Sequence, residues 1–202
     1  MRKILLYCAS ALCLSFIAVK PSVAGPCSQD NEAATIYVPD RGCAEIGFGY
    51  QYQRYDVFGR TFGNNGYNVD GGVHLFDWLT GAEGRLTVAA EGAAVFGFGN
   101  TGGTPNLVAK SLFLGGGPHI AVQSRSRLEP WIHLLVGLEH FRFTQTSTFG
   151  SNSTFGFMGG GGVDVRMKRG IYWRVQGDYI GTILQSSEQS NFSVGTGVIF
   201  YF

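Results

Sequence analysis

From Cys43 onward the chain alternates apolar and polar residues with a period of two, and it does so eight times. That period is the signature of a strand with two unlike faces. In 44–55 one face carries Ala44, Ile46, Phe48, Tyr50 and Tyr52, and the other Glu45, Gly47, Gly49, Gln51 and Gln53. In 66–76 Tyr67, Val69, Val73 and Leu75 oppose Asn68, Asp70 and His74. In 83–96 Leu86, Val88, Ala90, Ala94 and Phe96 oppose Arg85, Thr87 and Glu91. The pattern continues through 107–123, 129–143, 155–168, 171–183 and 191–202. Each run is at least as long as the roughly 9–11 residues a tilted strand needs to cross a bilayer.

The spacers between runs alternate too. Segments 77–82, 124–128 and 169–170 are short. Segments 56–65, 97–106, 144–154 and 184–190 are longer and rich in Gly, Asn, Ser and Thr. Short turns at one end and long loops at the other are the asymmetry of an outer-membrane barrel. An even strand count then puts both chain ends on the short-turn side, the periplasm. The fold class expected is all-β: a single closed antiparallel up-and-down transmembrane β-barrel of about eight strands.

Alternation alone fits a soluble barrel or sandwich equally well. Composition separates the two. A soluble barrel shows its polar face to water, and such surfaces carry plentiful Lys and Glu. After the first 24 residues this chain has Lys110 and Lys168 and no other lysine. Its polar face is Gly, Ser, Thr, Asn and Gln with isolated acids, Arg and His, which suits a packed lumen. Tyr50, Tyr52 and Tyr67 near the long-loop end, and Trp173, Phe200 and Phe202 near the short-turn end, are placed as two interfacial girdles.

Residues 1–24 read as a cleavable signal peptide: Arg2 and Lys3, an apolar stretch from Ile4 to Val19, then Ser22-Val23-Ala24 before Gly25. The apolar stretch is short for a membrane helix, for which about 20 residues are needed. Removing Arg2, Lys3 and Lys20 takes the formal charge from +1 to −2, so no basic footprint for nucleic acid remains. Residues 25–43 are expected as an N-terminal periplasmic segment and 44–202 as the barrel. Cys27 and Cys43 survive cleavage into an oxidising compartment, where a disulfide is expected, with free thiols as the alternative.

Several stretches resemble the small OmpA-like outer-membrane β-barrel domain family. They are Gly115-Gly116-Gly117-Pro118-His119, Pro130-Trp131, Gly159–Gly162 followed by Val163-Asp164-Val165-Arg166, then 173–179 and the ending 192–202. The resemblance covers about 44–202. It implies membrane embedding without implying one activity. The alternating ending with Phe200 and Phe202 resembles the signal read by the outer-membrane assembly machinery. Expected partners are therefore outer-membrane lipid and that machinery, for a monomeric protein.

The inward polar residues form the candidate site. Glu45, His74, Arg85, His119, His133, Asp164, Arg166 and Arg174 fall in the periplasmic third of the lumen. Glu91, Glu139 and Asp178 lie further up. Turns centred near Ser126 and Arg169 would set His119 against His133 and Asp164 against Arg174. A lumen network that pairs dehydrated charges is the reading adopted. A narrow channel is the alternative. A metal site from His74, His119 and His133 has no local ligand spacing behind it. A lipid-modifying enzyme would use His140, which points to the apolar face near the rim, with Ser147 or Ser151 in the following loop. No orienting acid sits in register with it. Gly159–Gly162 lacks the Gly-Lys-Ser/Thr of a phosphate-binding loop. No catalytic residue, cofactor or metal is therefore assigned.

Overall fold

A computed structural model describes residues 42–57, 60–79, 84–100, 108–124, 126–144, 151–184 and 187–202. Eight strands run in chain order: β1 Ala44–Val57, β2 Arg60–Leu79, β3 Gly84–Asn100, β4 Val108–Ser124, β5 Leu128–Thr144, β6 Ser151–Lys168, β7 Ile171–Leu184 and β8 Ser187–Tyr201. Each pairs antiparallel with the next, and β8 returns to β1, so the sheet closes with no free edge. Register across the closure runs from Glu45↔Tyr201 to Arg54↔Phe192. Two backbone bonds of 3.0 Å between Ala44 and Phe202 finish it. The expected all-β closed barrel of eight strands is the fold observed.

The strands are longer than the alternation alone marks. β1 continues to Val57 and β2 begins at Arg60, with Val57↔Arg60 still in register. The expected loop 56–65 is thus mostly a hairpin. The expected loops 144–154 and 184–190 shrink in the same way, to 145–150 and 185–186. The physical reason is compositional. Strand residues beyond an apolar belt carry Gly, Asn, Ser and Thr, as loops do, yet their backbone groups still pair. The aromatic stack of Tyr55 on Phe62, with ring centroids 5.6 Å apart, packs the inner face of the β1–β2 extension.

At the opposite end β6 and β7 join through Arg169-Gly170. Gly170 takes φ +73°, a left-handed conformation that glycine adopts without steric cost. Register irregularities at His74/Phe76 and Arg166/Lys168 lie at this same end, where bulges commonly re-aim side chains.

Burial is inverted relative to a soluble protein. The outward set Phe48, Tyr67, Leu134, Leu138, Val194 and Phe200 is exposed, whereas Gln51, Glu139, Asp164 and Asn191 are fully buried. Trp173 and Tyr50, both on the outside, use their polar ends locally. Trp173 Nε1 donates to Thr196 Oγ1 at 2.7 Å, and the Tyr50 hydroxyl donates to the Asn65 side chain.

The inward face also carries apolar residues, and among the described residues most of them fall into three clusters. Tyr172, Ile199 and Tyr201 pack near the short-turn end. Val95, Phe113, Leu135, Met158 and Ile180 form a band across five strands. Tyr55, Phe62, Ala109 and Phe141 close the loop end. The lumen is therefore layered, with polar groups between apolar ones.

Candidate functional site

Arg174 organises the lower polar layer. It lies on β7 opposite Asp164 of β6, because the two-residue turn at Arg169-Gly170 brings those positions into register. Its Nε and Nη2 donate to the two Asp164 carboxylate oxygens at 2.8 and 3.0 Å, the forked geometry a guanidinium favours. Its Nη1 reaches across the lumen to Asp70 of β2 at 3.0 Å. Glu45 of β1 stands 3.7 Å from Nη2. The guanidinium carbon sits 4.5 Å from the centroid of the Trp131 ring, a cation–π arrangement. Trp131 Nε1 and the Tyr201 hydroxyl also donate to Asp164, at 3.0 and 3.1 Å.

A histidine pair forms the second half of the layer. His119 and His133 are register partners on β4 and β5. His119 Nδ1 lies 3.4 Å from Glu45 and 3.2 Å from Glu91. His133 Nδ1 lies 3.1 Å from Glu91, and its Nε2 lies 3.1 Å from Asp178 on β7, two strands away. This reach depends on Gly160. Both His133 and Asp178 are register partners of Gly160 on β6, and no side chain stands between them. A Cβ there would come within 2.9 Å of the Asp178 Cα. Asp178 Oδ2 also accepts from Gln51, Gln176 and Ser193, at 3.1–3.2 Å.

Of the remaining candidates His74 reaches the edge of this layer, and Arg166 and Glu139 lie beyond it. His74 Nε2 is 3.7 Å from Glu45. Arg166 is part-exposed at the end of the barrel, where it pairs with Glu129 and donates to the Tyr172 hydroxyl at 3.3 Å. Glu139 sits in an upper polar layer and accepts from the Tyr55 hydroxyl at 2.9 Å. In that same layer Ser111 donates to Gln53 at 3.1 Å. Arg85 lies in β3, but its side chain falls outside the described residues. So does Cys27, and with it the Cys27–Cys43 pairing. Among the described residues no set of His, Cys, Asp and Glu is arranged to hold a metal ion.

Asp70 and Trp131 belong to the network, and Glu129 pairs with Arg166, although the alternation does not single out any of the three. The signal was available for Trp131, which shares parity with His133 and Glu139 and must face the same way. A second omission lies outside the barrel. His140 does point outward, and one partner of it falls among the described residues. It is Ser153, its register partner on β6, whose Oγ is 2.7 Å from His140 Nδ1. A cross-strand pair leaves no mark in local sequence spacing. Ser147 lies outside the described residues, as does the Ser151 side chain.

Compared by sequence, the chain matches no protein-family model and no curated protein. Compared by structure, it is similar to Neisserial surface protein A (NspA), with TM-score 0.60 and 10% identity over 80% of this chain and 98% of that one. It is also similar to Ail, the attachment invasion locus protein of Yersinia pestis, with TM-score 0.52 and 15% identity over 79% of this chain and 99% of that one. At such identities the likeness is one of fold.

Proposed function

We propose that the chain is an integral outer-membrane barrel with a structural or surface-interaction role, exercised through the rim opposite its termini. One observation carries this reading: the apolar residues face out and the ionic network faces in. A soluble barrel so arranged would bury its charges and wet its phenylalanines, at a cost no part of the fold offsets. In a bilayer the same arrangement places the apolar face against lipid and satisfies every backbone group within the closed sheet. The proposed orientation has both termini in the periplasm, and Phe200 and Phe202 at the closing seam suit the expected assembly signal. Among the described residues the inward side chains are buried in alternating polar and apolar layers, which weighs against the channel reading.

The test is a gel of the membrane fraction with and without boiling. The expected outcome is resistance to salt extraction and a heat-dependent shift in mobility. Extraction by salt with no shift would sink the proposal.

A second reading, a lipid-modifying enzyme, is favoured by the Ser153–His140 contact on the outer surface. A hydroxyl held against an imidazole is the start of a nucleophile–base pair. If it acts, Ser153→Ala and His140→Ala each change the acylation pattern of membrane lipid. An unchanged pattern in both strains removes this reading.

A further inference from the structure

Two exposed cations on the outer wall stand directly opposite each other. Lys110 of β4 and Arg142 of β5 are register partners, and both side chains point away from the lumen. Like charges facing across a strand pair repel. No carboxylate among the described residues makes an ion pair with either. They sit close to the 101–107 and 145–150 connections, at the end of the barrel opposite the meeting of Ala44 and Phe202.

Below them along the strands the wall turns apolar. The row carrying the cations continues through Phe98 on β3. The next row inward along the barrel axis is Tyr67, Phe96, Leu112 and His140. Together these rows line an open groove of about 450 Å³. A cationic head above an apolar floor on the same outer wall is the complement of an anionic amphiphile.

We propose that this groove binds a phosphorylated, multiply acylated glycolipid of the lipid A type, its phosphate between Lys110 and Arg142 and an acyl chain along Phe96, Phe98 and Leu112. The inference rests on the outer-membrane orientation proposed above, which sets this rim in the outer leaflet, where the phosphate-bearing lipid is of that class. A phosphate converts the Lys110–Arg142 repulsion into two attractions. Arg142 offers a planar fork and Lys110 a point charge. The flanking aromatics are suited to the headgroup boundary.

The test uses the full chain refolded in phosphatidylcholine nanodiscs, with native mass spectrometry to count bound lipid. Titrants are bisphosphorylated lipid A, its dephosphorylated form, phosphatidylglycerol and inorganic phosphate. The expected result is one lipid A retained at least ten-fold more tightly than any of the others. Lys110→Ala with Arg142→Ala should lose that preference while keeping the heat-shifted band. Lys110→Glu should lose it too, and should raise Tm in lipid A-free discs because it now pairs with Arg142. Equal retention by wild type and variants overturns the proposal. So does phosphatidylglycerol or inorganic phosphate binding as tightly as lipid A. Failure of the folded chain to enter discs overturns the membrane reading as well, whereas entry without selectivity overturns the groove alone.

Discussion

Arg174 ties five strands together with one side chain. From β7 it bonds Asp164 of β6 and Asp70 of β2, approaches Glu45 of β1, and lies over Trp131 of β5. Its removal leaves buried carboxylates facing one another. Arg174→Ala is therefore expected to destabilise the refolded protein by about 3–5 kcal/mol, read by urea unfolding in lipid. Arg174→Lys keeps the charge but loses the fork, and should fall between the two. A loss under about 1 kcal/mol for Arg174→Ala would place the network outside what holds the barrel, in the range of exposed pairs. Parity along each strand made the polar lining readable in the sequence, because neighbouring inward residues are two apart. It hid the apolar lining. Phe113, Leu135, Met158 and Ile180 sit on the polar face, where they look like exceptions to the alternation. In the barrel they pack with Val95 into one buried band across five strands.

At the level of a strand, the run Gly159–Gly162 shows how one residue type serves opposite faces. Gly159 faces outward, and a Cβ there would meet Leu134 Cδ1 at an ordinary 3.5 Å. Gly160 faces inward, where a Cβ would press on the Gly177 carbonyl and the Asp178 backbone. Gly159→Ala is expected to refold with normal yield. Gly160→Val should cut the yield of the heat-shifted band sharply, since it parts His133 from Asp178. Equal yields would show that β6 can yield where the structure has it tight. The sequence marks the glycines but not which of them is crowded, because crowding comes from β5 and β7. Strand ends were illegible for a similar reason. Polar residues of β1 and β2 above the apolar belt share their composition with a loop, and pairing across the hairpin is a property of two segments together.

For the molecule as a whole, the outward belt makes the sharpest claim. Leu134 is half exposed on the outer wall of β5, and Leu134→Arg should cost about 2–4 kcal/mol if that wall meets hydrocarbon. If the wall meets water, the change should stay within about 0.5 kcal/mol, as exposed substitutions usually do. Urea unfolding in lipid vesicles separates the two. The meeting of Ala44 with Phe202 has a different consequence. Because residue 44 and residue 202 are hydrogen-bonded neighbours, the barrel has no structural need to begin and end there. A circular permutant that links 202 to 44 by a short flexible joint and opens the chain within 145–150 preserves every strand pair. It should refold in detergent to the same heat-shifted band. In cells it would present β5 as its last strand in place of the aromatic β8. Normal refolding with failed assembly in the membrane would separate the geometry of closure from the assembly signal proposed for the closing strand.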